Sequence, residues 1–474
     1  MRRPLTNSET KRIPSPVFDI FDKFSSAGYE IYLVGGGVRD LLLERRVHDC
    51  DFTTNAKPEE IQKIIPDCFY DNVFGTVGIT VEEPASVPPS AAELRRGKQK
   101  YEITTYRTEQ GYADKRHPDK VEWGTSLEED LKRREFTINA MAVGISNKAT
   151  KQQSNKEKLE LIDNFNGQED LKNKIIRAVG NPDERFSEDA LRLMRAIRFA
   201  TQLGFLIETE TFKAIQKNSQ FIKRISYERI KDELFKILAS DYPSEGITLL
   251  LNAELLQYII PELIKGYGMN QAHHHIYDVW THSLLSLKNC SLKDPLVRLA
   301  TLLHDVGKPI VAKGEGEKRT FFNHEVVGAA IAKTIAQRLK LSKKEEEKLI
   351  ILIRWHQFTV DERQTDSAIR RFIKNVGKEN LEEMLALRVG DRLGGGARET
   401  SWRLEKFKER LVEVQKQPFS VTDLKINGND VMKILNLKPG PQVGQILNQI
   451  FEEVVEKKVE NEKEALLKRL QKLK

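Results

Sequence analysis

The chain has 474 residues, 39 % of them hydrophobic and 31 % charged, which excludes a single small core and, at about 150 residues per domain, suggests about three units. With 77 Lys and Arg against 70 Asp and Glu, the formal charge of +7 permits a nucleic-acid partner without arguing for one. Three cysteines, Cys50, Cys68 and Cys290, form no CxxC pair and leave an odd count, which points away from a disulfide framework or thiolate zinc site and toward a reducing cytoplasm.

The opening segment MRRPLTNSETKRIPSP is polar, and no run approaches the ~20 apolar residues of a membrane helix, so neither secretion nor membrane insertion is expected. From about Ile31 to Tyr106, short β-branched and aromatic runs are broken by glycine: IYLVGGGVRD, DCDFTT, TVGITV and YEITTYR. This predicts a small mixed α/β or α+β head. After strand IYLV, Gly35-Gly36-Gly37 would let backbone N–H groups approach a phosphate, and Arg39 adds positive charge. The turn lacks the P-loop lysine and the dinucleotide spacing, so by itself it reads equally as a structural turn. In a strand, residues i and i+2 share a face, which puts Asp49 and Asp51 on one surface. Two like charges there call for cations, and a pair of Mg²⁺ ions would neutralise them while activating a hydroxyl. The bland reading is a solvated strand face.

Between TVGITV and YEITTY, residues 82–100 are proline-rich and charged, an expected disordered hairpin extension. A second polar break covers 146–158. Beyond Asn181 the period turns helical, with Ala190, Leu193, Ile197 and Ala200 on the apolar stripe and Arg192, Arg195 and Arg198 off it. The pattern predicts a helix over 187–200, N-capped by Ser187, with Asp189 and Arg192 on one face. Such a pair is either a surface ion pair or an acceptor beside donors that matches the Watson–Crick edge of cytosine or adenine. A linker, KGYGMNQAHHHIYD, precedes a further helical block. There Leu296, Leu299, Ala300 and Leu303 form a stripe ended by Gly307-Lys308-Pro309, with His304 and Asp305 in the last turn. After Gly394-Gly395-Gly396 comes a charged, helical C-terminal body.

The segments LVGGGVRDLLLERRVHDCDFTTNA, VFGTVGIT, YEITTYRTE, RREFTINAMA and SEDALRLMRAIRFATQLGF, in that order, resemble class II tRNA nucleotidyltransferases, the family of CCA-adding enzymes and bacterial poly(A) polymerases. The resemblance implies Mg²⁺ on Asp49 and Asp51, and a triphosphate held by Gly35, Gly36 and Arg39. It implies ribose and triphosphate contacts from Arg134 and Asn139, base selection by Asp189 and Arg192, and Arg195 at the nucleotide. Glu102 reads as a surface glutamate or a third carboxylate. Where the family commonly has Arg-Arg-Asp, this chain has Arg133-Arg134-Glu135, one methylene longer. The segment 108–131 fills the family's flexible loop at full length, which implies terminal A addition.

The histidines His282, His304, His324 and His356, with Asp305 and Asp391, resemble in order and setting the ligands of HD-domain metal phosphohydrolases. The resemblance implies one or two divalent ions. Imidazole with carboxylate suits Mn, Fe, Ni or Zn. The block would hydrolyse a phosphomonoester or 2′,3′-cyclic phosphate, or merely support RNA. His273-His274-His275 reads as linker.

The resulting expectation is an α+β protein: a mixed-sheet nucleotidyltransferase head (1–145), an all-α neck (146–268), an HD domain (269–395) and a helical tRNA-binding body (396–474). It would be a cytoplasmic enzyme adding C, C and A to tRNA from CTP and ATP, with oligomeric state open. The rivals are a poly(A) polymerase, a CC-only or A-only enzyme, an HD phosphohydrolase with an RNA-binding head, and a non-enzymatic tRNA-binding factor.

Overall fold

The computed structural model describes the whole chain except residues 48–49, 72–75, 83–97, 111–119, 125, 147–158, 272–275, 359, 362, 416–420, 457 and 474. Asp49, the 83–97 extension and the 273–275 histidine run therefore lie outside the described residues. Backbone contacts divide the chain into two units, Met1–Pro261 and Glu262–Lys474. No helix among the described residues is long and apolar enough to cross a membrane. The three cysteines are free thiols.

The first unit is built on a mixed sheet. In chain order its strands are β1 (Arg2–Pro4), β2 (Ile31–Val34), β3 (Asp51–Thr54), β4 (Cys68–Asp71), β5 (Thr76–Glu82) and β6 (Lys98–Thr105). A separate hairpin joins β7 (Arg107–Gln110) to β8 (Lys120–Trp123), and β9 (Met141–Ile145) and β10 (Leu159–Asp163) return to the sheet. The strand order is β1-β10-β9-β2-β3-β6-β5-β4. Every pairing is antiparallel except β3 with β6, which are parallel. Strand β2 is buried along its whole length, the pattern of a central strand covered on both faces. The sheet extends past residue 145, where the head was expected to end. Beyond the polar break, β10 supplies the apolar strand that fits between β9 and β1.

The expected helix 187–200 is two helices. Pro182–Glu188 is capped by Asn181, and Leu191–Leu203 follows after a break at Asp189, whose backbone is extended (φ −134°, ψ 109°). Ser187 is not a cap; its hydroxyl donates to the Glu184 carbonyl. The Asp189 carboxylate accepts the Leu191 N–H at 2.9 Å, and Ala190 is the N-cap of the second helix, with no side-chain cap. Leu193, Ile197 and Ala200 are buried as the stripe requires, and Gly204, at φ 70°, ends the helix in the left-handed conformation.

In the second unit, helices Val279–Lys288, Pro295–Leu303, His324–Arg338, Lys343–Trp355 and Leu381–Gly394 carry the histidine–aspartate residues or their neighbours. Pro295–Leu303 is capped by Asp294 and ends with His304 as its C-cap. Helix Trp402–Gln415, assigned by sequence to the C-terminal body, stacks Phe407 on Phe358 at 5.3 Å. The last helices enclose their own core around Val431, Ile450, Leu466 and Leu470.

Candidate functional site

In the first unit, β2 ends at Gly35, which has φ +72°; a side chain there would meet Arg134 Nη1 at 3.0 Å and the Asp51 carboxylate at 3.8 Å. Both the left-handed backbone and the close approach require glycine. Asp51 opens β3 and is exposed. In the parallel register it is level with Glu102 of β6, whose carboxylate takes Lys100 at 2.8 Å. From the helix after the glycines, Arg39 donates to Asp40 at 2.9 Å and to Asn139 at 3.0 Å.

Gly35, Gly36, Arg39, Asp51 and Asn139 line a cavity of about 560 Å³, together with Arg133, Arg134, Glu135, Arg192, Arg195, Arg198, Phe199, Gln202 and Lys236. Seven cationic side chains face two carboxylates, so the cavity suits a polyanion. Buried Asp130 fixes Arg133 at 2.7 Å and Arg134 at 3.4 Å. Glu135 makes two hydrogen bonds with Arg195, both 2.5 Å. The ring of Phe199 has the guanidiniums of Arg198, Arg39 and Arg195 over it at 4.3, 5.3 and 5.6 Å.

In the second unit, four imidazoles and two carboxylates converge. Asp305 Oδ2 is 3.4 Å from His282 Nε2 and 3.2 Å from His304 Nε2, while Oδ1 is 3.2 Å from His324 Nε2 and 3.8 Å from His356 Nε2. Asp391 Oδ1 lies 3.1 Å from His282 Nε2. Their ligand atoms form two overlapping groups that could each hold a metal ion, with Asp305 in both. The Nδ1 atoms of His304, His324 and His356 are hydrogen-bonded to the carbonyls of Thr301, Phe321 and Ile353 at 2.7, 2.9 and 2.7 Å, which turns each Nε2 inward. This donor set fits divalent transition ions. For His304, burial is outweighed by Asp305 and Asp391, and its pKa is pushed up to about 10. Burial and then the charge of His304 push His356 down to about 3.

Family models described as "Poly A polymerase head domain", "Probable RNA and SrmB- binding site of polymerase A" and "tRNA nucleotidyltransferase domain 2" match residues 31–177, 204–266 and 321–470. The chain is 35 % identical over 455 residues to the CCA-adding enzyme of Ligilactobacillus salivarius, spanning 96 % of this chain and 95 % of that protein. The chain belongs to the CCA-adding enzyme family. The CCA-adding enzyme of Streptococcus mutans is 32 % identical, across 96 % of this chain and 97 % of that one. A crystal structure of the Bacillus stearothermophilus CCA-adding enzyme in complex with CTP superposes with a TM-score of 0.68 at 27 % identity, covering 99 % of this chain and 98 % of that chain.

As a CCA-adding enzyme, a tRNA nucleotidyltransferase, the chain brings Gly35, Gly36, Arg39, Asp51, Arg134, Asn139, Arg192 and Arg195 to one cavity. Asp189 is the exception. The break in the helix turns it to Arg229, 3.2 Å away, while Arg192 is held by Glu188 at 2.5 Å, so the expected Asp189–Arg192 pair is not formed. Sequence reasoning missed Arg198, Phe199 and Lys236 in the cavity, and Lys308, which lies 2.6 Å from Asp305. Arg198 left a signal in lying off the apolar stripe with Arg192 and Arg195, and Lys308 in following the His-Asp doublet in HDVGK.

The longer Glu135 side chain has a measurable consequence. Burial raises its pKa, but Arg195 lowers it further, so the net shift is down from 4.5. A depressed carboxylate contributes stability that is present above its unfolded pKa and lost as the pH falls through the folded value. Glu135→Gln is therefore expected to cost about 1–3 kcal/mol at pH 7, from two charge-assisted hydrogen bonds. Thermal melts from pH 6 down to 3 should show the gap between wild type and variant closing; a constant gap would contradict this origin.

Proposed function

We propose that this chain adds C, C and A to tRNA 3′ ends, taking nucleotides from CTP and ATP without a nucleic-acid template, in a cytoplasmic setting. The observation that carries the reading is the cavity itself: an exposed carboxylate beside a glycine turn, inside a wall of guanidiniums. Gly35 and Gly36 leave room for the triphosphate, and Arg39 and Arg134 neutralise it. Asp49 and Asp51 would hold Mg²⁺; the exposed Asp51 carboxylate at the cavity wall fits that role. When bound, such ions supply Lewis-acid activation and charge neutralisation. The chain's own contribution is to align the terminal hydroxyl of tRNA with the α-phosphate and to hold charge where it develops. Basic helices of the neck and C-terminal body would grip the RNA backbone, an interaction that weakens with salt. In this reading 1–145 with β10 is the head, and the parts that follow serve as neck, metal domain and body.

The test uses tRNAs ending before the first C, after one C and after two, with CTP and ATP supplied separately. C is expected on the first two, A only on the third, and no extension beyond. Unlimited A-tailing would mean poly(A) synthesis, and C without A would mean a split system. Base choice rests on Arg192 in the cavity and on Asp189, which must leave Arg229 to meet a base. Asp189→Ala should then relax selection of C and A over U and G by about 10- to 100-fold, the worth of one paired edge. Unchanged misincorporation would remove Asp189 from that role.

We further propose that His282, His304, Asp305, His324, His356 and Asp391 hold divalent transition ions and that this centre hydrolyses phosphate esters. Inward-facing Nε2 atoms around a shared carboxylate support it.

A further inference from the structure

In helix Leu191–Leu203 of the first unit, Phe199 is 6 % exposed, yet it belongs to the wall of the cationic cavity. It packs on the fully buried Phe136 at 5.8 Å, with ring planes 81° apart. The guanidiniums of Arg198, Arg39 and Arg195 lie over its ring at 4.3, 5.3 and 5.6 Å, all inside the ~6 Å reach of a cation–π contact. Arg195 and Arg198 share its helix, whereas Arg39 comes from Gly36–Leu42, the helix after the glycine turn.

Each of these cations has a carboxylate of its own: Asp40 for Arg39 at 2.9 Å, Glu135 for Arg195 at 2.5 Å and Glu233 for Arg198 at 2.9 Å. The ring of Phe199 is what the three have in common. Gathered cations repel one another, and burial and then the charge of Arg195 push the Arg198 pKa down. An aromatic face offsets that repulsion with negative charge density. Unlike a carboxylate at the same place, it has no net charge to repel a phosphate and takes no N–H donor away from one.

We propose that Phe199 is a positioning residue for nucleotide transfer: its ring gathers Arg39, Arg195 and Arg198 before the nucleotide arrives, so that the triphosphate meets a preformed set of donors. This deepens the reading of the cavity as the nucleotide site and rests on it. The ring face is already occupied by guanidiniums, so Phe199 acts through them and is not a stacking platform for the base.

Incorporating di-, tri- and pentafluorophenylalanine at position 199 of the full chain tests it, because fluorine drains the negative ring face stepwise while nearly keeping the volume. The Kd of CTP by calorimetry, and the KM for CTP on a tRNA ending before the first C, should rise with the number of fluorines. The pentafluoro ring should cost about tenfold, the scale of a desolvated cation–π contact. The accompanying kcat should stay within about twofold, since the triphosphate is held alike before and during transfer. CMP lacks the outer phosphates, so its affinity should change less and the preference for CTP over CMP should shrink; a merely structural loss would weaken both alike. A pentafluoro variant that binds CTP as wild type does, or whose loss falls equally on CTP and CMP, overturns the proposal. Arg39→Gln tells its failure from that of the underlying reading. If Arg39→Gln weakens CTP while fluorination does nothing, Phe199 has no such role; if CTP binding survives Arg39→Gln unchanged, the cavity is not the nucleotide site and the proposal falls with it.

Discussion

Replacing Asp51 with alanine is expected to lower CMP and AMP transfer by on the order of 10²–10³-fold or more, with the loss in kcat and with tRNA binding retained. Asp51 is exposed at the mouth of β3 and is one of only two carboxylates, with Glu135, among the described residues lining the cationic cavity. Glu135 is already engaged by Arg195 at both oxygens, so it is not available to replace Asp51. The basic helices that would grip the RNA backbone are untouched in the variant, which is why tRNA binding should outlast turnover. Rapid-quench measurement of C addition, alongside a filter-binding curve for tRNA, separates the two. A variant with near-normal kcat would remove Asp51 from the chemistry and, with it, the metal role given to the Asp-x-Asp segment.

The second large effect is expected at Asp305. Its two oxygens face two pairs of imidazoles, and Lys308 lies 2.6 Å from one of them. Asp305→Ala should reduce bound Mn, Fe, Ni or Zn from at least one ion per chain to near zero by elemental analysis, and abolish hydrolysis of phosphate esters. It also leaves the buried Lys308 without its carboxylate, a loss of about 3–5 kcal/mol for a broken buried pair, so the second unit should melt earlier. Asp305→Asn, which keeps the volume, guards against mistaking unfolding for lost ligation. Transfer of C and A needs residues of the first unit and should persist in the folded variant. The protonation of His304, whose pKa is pushed up to about 10, adds a signature. Near neutral pH the metal must displace that proton, whereas His356, pushed down to about 3, is already neutral. Metal uptake at pH 7–8 should therefore release about one proton per His304 site, and apparent affinity should rise with pH over that range. Titration in buffers of different ionisation enthalpy measures the release; none would contradict a protonated His304.

Much of both sites was legible in the sequence because their residues sit where local chemistry fixes them. Gly35 follows a buried strand, and Asp51 opens the next one. His304 and His356 close helices, His324 opens one, and His282 lies within one. What was not legible depends on tertiary partners. Nothing in SEDALRL marks a break, since it holds neither proline nor glycine; Asp189 takes an extended backbone between the two helices, with its carboxylate on the Leu191 N–H and on Arg229. Phe199 lies off the predicted apolar stripe, and only the fold shows three guanidiniums gathered over its ring. Strand β10 reads in sequence only as a short apolar run, LELI, after a polar stretch; its place in the head sheet does not, because its partners, β9 and β1, are set by topology and β1 lies at the other end of the unit's sequence. Glu135 looked like a departure from the family pattern, yet its extra methylene belongs to a side chain that engages Arg195 through both oxygens.

The most direct test of the central claim is a crystal of the chain grown with CTP and Mn²⁺, read by anomalous scattering. Manganese peaks are expected against Asp51 and Asp49, with the triphosphate along Gly35, Gly36 and Arg39. A nucleotide bound elsewhere, or manganese absent from Asp51 with CTP in place, would contradict it.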